Sequence, residues 1–401
     1  MNKSLKGFRP YRAIGLTVWF GALAIPQMAS AGDAQSPAFD LSAHYMSDLV
    51  YVDEGTTDGR SFVVHEAEAE GKVDLEQVVG ARGLTAGVHL LATAGGRPNE
   101  AAGTLQGIDN VEVDRHRVRL YQAWLEQAFA GGRGSLRLGL SDLNSDFYKN
   151  DSAGLLLGPA FGIGSELAAT GPNGPSTFPS TALTARLSWQ VGRNAYGKIA
   201  VINAKSGVLG EPDGIDFEMR DGALLIGEVG TAGRGKLALG VWGYTKSQPY
   251  IYAVGQDGNR TGQTAAGAYI LAEYRFTDSD ARGVHAFLRV GRSDGATTPF
   301  RGGFQAGVLV NEPIAGRPDG QLSLGVQQGQ LSTGFRRLLL ADKGLSSVAS
   351  EWGIEFTYVD KLIPYFCVQP DIQFIQRSVA EHGERSTLVV AIRSTLTFGD
   401  N

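Results

Sequence analysis

The sequence predicts an all-β chain, a transmembrane antiparallel β-barrel of about 16 strands with an inward-folded constriction loop. Three observations predict it: short segments of alternating polarity, tight turns that alternate with long loops, and a leader that directs export. The leader comes first. Lys3, Lys6, Arg9 and Arg12 precede an apolar run at 13–26, and Ala29-Ser30-Ala31 follows. This order is that of a secretory signal peptide, 1–31, with cleavage expected after Ala31 and residues 32–401 forming the barrel. The apolar run is shorter than the roughly 20 residues that a membrane-spanning helix needs.

Loss of those four cations takes the formal charge from −5 to −9, which argues against a nucleic-acid partner. The single cysteine, Cys367, excludes an internal disulfide. Glycine supplies 55 of 401 residues, a proportion suited to strands and tight turns.

The alternation is clearest at the C-terminus. Leu388, Val390, Ile392, Leu396 and Phe398 share one face, with Ser394 among them, while Val389, Ala391, Arg393, Thr395 and Thr397 share the other. An apolar face ending in an aromatic suits a strand that faces lipid. Leu136, Leu138 and Leu140 likewise alternate with Arg137, and Leu183, Ala185, Leu187 and Trp189 with Arg186. Ile270, Ala272 and Tyr274 oppose Glu273 and Arg275, and Arg289 opposes Leu288 and Val290. Sixteen such segments are centred near residues 45, 68, 88, 122, 138, 185, 200, 226, 240, 271, 287, 306, 324, 354, 369 and 392.

The links between them alternate in length. Even-to-odd links are turn-like: Gly80-Ala81-Arg82-Gly83, Gly131-Gly132-Arg133-Gly134, Gly192-Arg193-Asn194, Ala232-Gly233-Arg234-Gly235, Asp278-Ser279-Asp280, 316–320 and Asp360-Lys361. Most odd-to-even links are long and polar, as at 93–112, 144–180, 205–221, 246–263 and 330–347. Turns at one end, loops at the other and an even strand number are the pattern of a bacterial outer-membrane barrel, whose closure leaves no unpaired backbone edge in hydrocarbon. A soluble sandwich or propeller also has many short strands. The charges set in mid-strand over many consecutive strands favour the barrel.

The stretch 121–204 carries Tyr121-Gln122-Ala123-Trp124-Leu125-Glu126-Gln127 and Gly139-Leu140-Ser141-Asp142-Leu143-Asn144-Ser145-Asp146-Phe147. Phe161-Gly162-Ile163-Gly164-Ser165-Glu166-Leu167-Ala168 and Gly171-Pro172-Asn173-Gly174-Pro175-Ser176 follow. Later come Ala272-Glu273-Tyr274-Arg275, Trp352-Gly353-Ile354-Glu355-Phe356 and Gln369-Pro370-Asp371-Ile372-Gln373. In these runs the chain resembles the carbohydrate-selective porins, the OprB family, over most of its exported length. The match weakens before about residue 115, and the chain is short for the family. The resemblance implies a 16-stranded outer-membrane pore that passes glucose-like sugars passively, without a cofactor. Its expected surroundings are outer-membrane lipid and lipopolysaccharide, and it has room for a homo-oligomer. Periodicity alone says nothing of sugar.

The link 144–180 is too long for an ordinary connection and nearly uncharged beyond its start. So apolar a segment is expected to fold into the lumen and narrow the pore, with Phe161, Glu166, Asn173 and Phe178 as its marker residues. Selection of neutral polyols needs groups that exchange hydrogen bonds with hydroxyls and a field that hinders ions. The lumen candidates are Arg137, Arg186, Lys198, Arg275 and Arg289, with Glu126, Glu355 and Asp371, and Trp124 could present an aromatic face to a sugar ring. Read singly, each is equally a solvated lumen charge.

Strict alternation puts Tyr121, Ala123, Leu125 and Phe129 toward lipid and carries Arg119 with them. Either Arg119 snorkels to the interface, or a bulge turns it inward. Gly291-Arg292-Ser293-Asp294-Gly295 mimics a nucleophile elbow but lies between two strands, so a loop turn is expected. The six histidines show no metal-ligand spacing along the chain. No segment supplies the serine, histidine and orienting residue of a barrel lipase. A general, non-selective porin fits the same strand pattern, and a secreted sugar-binding protein would share its polar, aromatic-rich segments.

Overall fold

The computed structural model describes residues 37–55, 59–207, 214–252, 261–277, 283–381 and 384–399. The expected signal peptide and the Asp278-Ser279-Asp280 turn lie outside them. Sixteen antiparallel strands form a closed barrel in sequence order, β1 pairing with β16. They are β1 Phe39–Asp53, β2 Arg60–Asp74, β3 Leu84–Gly95, β4 Arg117–Phe129, β5 Gly134–Ser141, β6 Ala182–Val191, β7 Ala195–Asn203 and β8 Ala223–Thr231. The second half comprises β9 Gly235–Pro249, β10 Gly262–Arg275, β11 Val284–Ser293, β12 Phe300–Asn311, β13 Gln321–Leu331, β14 Ser350–Ile363, β15 Phe366–Glu381 and β16 Glu384–Gly399. Each falls on one of the sixteen segments read from alternation.

The alternation has the expected physical sense. On β16, Leu388, Val390 and Ile392 are exposed on the outer surface, while Val389, Ala391 and Arg393 are buried inside. Aromatic side chains collect at the turn ends of the outer face, where Phe129 packs on Trp189 and Tyr274 on Phe276. These are the positions at which amphipathic rings meet the membrane interface. The closing seam is fastened from within: Asp48 of β1 lies opposite Arg393 of β16, and two nitrogens of the guanidinium donate to its carboxylate at 2.9 and 2.7 Å. Such forked pairing of buried opposite charges is both strong and directional.

Two expectations need correction. Asp360 and Lys361 are not a turn but lie inside β14, and the β14–β15 hairpin closes at 364–365 instead. In β4 a register shift opposite His89/Leu90 places two successive residues, Tyr121 and Gln122, toward the interior. Tyr121 is therefore buried rather than lipid-facing, and its hydroxyl donates to Asp142 at 2.6 Å. The bulge also decides Arg119. It is buried, and its guanidinium donates to the Pro179 carbonyl and the Ser180 hydroxyl at 2.7 and 2.6 Å.

The loops carry short helices. α1 (Leu75–Val79) sits in the β2–β3 turn, capped by the Asp74 carboxylate. α2 (Pro98–Ala102) lies in the β3–β4 loop and α3 (Ser165–Ala168) in the β5–β6 loop. α4 (Thr333–Lys343) starts at the Ser332 cap, whose hydroxyl accepts from the Phe335 amide, and stops at Gly344 in a left-handed conformation.

Candidate pore lining and inward loops

The β5–β6 loop runs along the inner wall and returns. Its apolar side chains Phe147, Tyr148, Ile163 and Leu167 pack with Ile202, Leu224, Trp242 and Tyr269 of the wall into one buried cluster. This accounts for the composition of 144–180, since the loop buries its apolar surface against the lumen side of β6 to β11. Burial of that kind contributes about 25 cal/mol per Å².

Polar pins hold the loop at intervals. The Lys198 ammonium on β7 donates to the Asp146 carbonyl at 2.9 Å. Glu273 on β10 accepts from the Ser152 amide at 2.7 Å. Gln369 on β15 donates to the Leu155 carbonyl at 2.7 Å. Glu355 on β14 accepts from the amides of Leu157 and Gly158. Arg289, 1% exposed, donates to the carbonyls of Tyr148, Ala160 and Gly162 and to Gln305. Arg289 and Glu355 are thus occupied in holding the loop rather than in lining an open passage. Asp371 is buried beside Glu355 and accepts from Gln373 at 3.0 Å.

The marker residues of the loop are also occupied. Phe161 is buried edge-on to Phe287, in space left by Gly325, where a Cβ would lie 2.7 Å from its ring. Glu166 is wedged against Gly291, where a Cβ would overlap its carboxylate, and accepts from the Tyr148 hydroxyl at 3.2 Å. Burial pushes its carboxyl above the ordinary range, with Arg289 and Tyr148 opposing. Asn173 bonds the Ser206 amide at 3.2 Å in the β7–β8 loop, and Phe178 packs against Tyr121.

A second loop folds inward as well, which the sequence reading missed. In the β3–β4 loop the amides of Leu105 and Gln106 donate to Glu351. Gln373 donates to the Ile108 carbonyl and Arg393 to Asn110. Ala102 and Ile108 join Val50, Val52, Ile375 and Val389 in a buried cluster. The loop's polar composition gives no hint of this, because apart from Asn110 the pins named are loop backbone groups and wall side chains.

Between the start of the β5–β6 loop and the wall of β2 to β5 a gap remains. There a cavity of about 260 Å³ is lined by Glu70, Lys72, His89, Gln122, Trp124, Arg137 and Asp146, among others. Arg137 bonds Glu126 at 2.6 Å. Arg186 lies between Glu126 and Asp146, 3.1 Å from each. Lys198 stands 3.8 Å from the Asp146 carboxylate. These five charges, three positive and two negative, form one ladder across β4, β5, β6, β7 and the loop's start. Asp146 is its hub, and the sequence reading does not single it out although it is one of the few acids near the start of the loop.

The Trp124 indole lies over Gly87 and under the Arg137 guanidinium, whose carbon is 4.1 Å from the ring centroid. The face that the sequence reading offers to a sugar is therefore covered, and the ring braces Arg137 by a cation–π contact. Arg275 lies at the turn end of β10, in register with His285. Ser293 closes the β11 end, its hydroxyl donating to the Phe300 carbonyl at 2.6 Å, and a strand rather than a helix follows.

In the β3–β4 loop, Glu112 accepts from the Asn99 amide, and burial raises its carboxyl to about 7. For an acid raised above its unfolded value of 4.5, the folded loop prefers the proton. The penalty for ionising it grows as pH rises from about 4.5 to 7. Amide exchange protection factors at 98–112 should accordingly fall between pH 5 and pH 8, and Glu112→Gln should flatten that fall. Protection that rises with pH would contradict the assignment.

Comparison with known proteins agrees with this architecture. The family model described as carbohydrate-selective porin, OprB family, matches residues 64–398. No curated protein sequence matches. Among solved structures, the high-pH form of Pseudomonas putida OprB superposes with a TM-score of 0.79 at 16% identity, covering 90% of this chain and 94% of that one. The Acinetobacter baumannii outer membrane channel DcaP gives 0.56 at 12% identity over 90% and 97% of the two chains. Vibrio cholerae OmpT, described in its trimer form, gives 0.53 at 10% over 90% and 100%. At these identities the likeness is one of fold.

Proposed function

The chain belongs to the carbohydrate-selective porin family, OprB, and on that premise we propose that it passes small sugars by passive diffusion along the β2–β5 wall. The family and fold are those of channels rather than enzymes, and the barrel belongs in a bacterial outer membrane. The observation that carries the sugar reading is the charge ladder of Glu126, Arg137, Arg186, Asp146 and Lys198 beside the cavity. Guanidinium donors and carboxylate acceptors at one level can exchange hydrogen bonds with hydroxyl groups, and opposed charges hinder the passage of either ion sign.

The β5–β6 loop acts as the constriction. Its seat against β6 to β15 leaves the passage to the opposite wall, and Arg289, Glu355 and Asp371 are positioning residues for it. Arg275 contributes to the field at the turn end. The signal peptide is removed on export, the apolar outer band meets lipid and lipopolysaccharide, and the barrel assembles as a homo-oligomer, as the trimeric neighbour suggests.

Single-channel recording in planar bilayers tests this. Glucose, then longer linear sugars, should block current saturably, with block deepening as chain length grows. Large conductance steps insensitive to every sugar would leave a general porin and sink the selective reading.

A further inference from the structure

We propose that the inner wall at β1 to β3 carries a transition-metal site, formed by His44, Glu68 and Glu70 with His89 against the other oxygen of Glu68, that takes a divalent cation of the zinc class. The register builds it. Alternation puts Glu66, Glu68 and Glu70 on one face of β2, and pairing sets His44 opposite Glu68 and His89 opposite Glu70. The His44 Nε2 is 3.5 Å and the His89 Nε2 3.3 Å from different oxygens of Glu68, and the His89 Nδ1 is 3.7 Å from Glu70. One ligand atom each from His44, Glu68 and Glu70 lie within 4.8 Å of one another.

Two ligands held tetrahedrally at about 2.0–2.1 Å from zinc stand about 3.3–3.4 Å apart. The His44 Nε2 and His89 Nε2 distances to Glu68, 3.5 and 3.3 Å, are close to that spacing, each imidazole facing its own carboxylate oxygen.

An independent observation points the same way. His89 is 6% exposed, and its Nε2 is buried with no hydrogen-bond partner while aimed at the Glu68 carboxylate; Glu66 Oε2 is likewise buried without one. A buried polar atom without a hydrogen bond is costly, and a bound cation would satisfy the imidazole lone pair and the carboxylates together. Imidazole with carboxylate suits zinc, copper or nickel, whereas magnesium and calcium prefer oxygen alone. The linear sequence conceals the site because its histidines are 45 residues apart, at 44 and 89. The inference does not depend on sugar being the permeant.

Without a metal, His44 and His89 would merely pair with Glu68 as ions. Titration calorimetry on the untagged full chain in detergent, at pH 7.5, separates the two cases. Zinc chloride should bind at one ion per chain and at least tenfold more tightly than magnesium or calcium chloride. His44→Ala, which lies outside the charge ladder, should weaken zinc tenfold or more without altering conductance in zinc-free buffer. X-ray absorption of the zinc-loaded wild-type protein should show imidazole scattering, a readout that requires no variant to fold. Zinc bound no better than calcium, an all-oxygen shell, or affinity unchanged by both His44→Ala and His89→Gln would overturn the site.

Discussion

Removing two pins of the β5–β6 loop at once, Arg289→Ala with Glu355→Ala, is expected to raise single-channel conductance severalfold and to abolish current block by sugar. Arg289 donates to three loop carbonyls from a fully buried position, and Glu355 accepts two loop amides on the far side of the same segment. Hydrogen bonds to charged groups are worth about 1.5–3 kcal/mol each, and buried carbonyls left unpaired add a penalty. Segment 148–162 would then keep only its apolar packing and the outlying bonds of Ser152 to Glu273 and Leu155 to Gln369. Each single variant should give a partial effect, since the other pin survives. Heat-modifiable mobility on gels checks that the barrel has closed. Unchanged conductance and block in a folded double variant would show that the loop does not limit the passage.

The second large effect is expected at Arg186. It is 4% exposed on its side chain and lies between Glu126 and Asp146, so alanine leaves two neighbouring carboxylates with less compensation. The reversal potential in a potassium chloride gradient should shift toward cation preference, and sugar block should weaken about tenfold, roughly 1.4 kcal/mol. Lysine should restore little, because a point charge cannot span two carboxylates as the planar fork does. A reversal potential and a sugar affinity both indistinguishable from wild type would remove Arg186 from the selective machinery.

The barrel is legible in the sequence because its strands meet two different solvents. A polar interior and a lipid exterior write an alternation into every strand, and Leu388 to Phe398 shows it without help from neighbours. Glycine reads as turn chemistry, yet Gly87, Gly291 and Gly325 serve another purpose by making room for Trp124, Glu166 and Phe161. That use depends on which residue arrives from elsewhere, and no local pattern records it. The same holds for the lumen charges. Alternation places Arg137, Arg289 and Glu355 inside, but only their partners separate an arginine that faces the passage from one spent on loop carbonyls. Tyr121 escapes the pattern because a bulge changes the phase of a strand without leaving a mark in composition.

The closing seam has a consequence for the interior. Arg393 grips Asp48 across the strand pair farthest apart in sequence and at the same time donates to Asn110 of the β3–β4 loop. One guanidinium thus ties the seam of the wall to the furnishing of its interior, and losing it would loosen both.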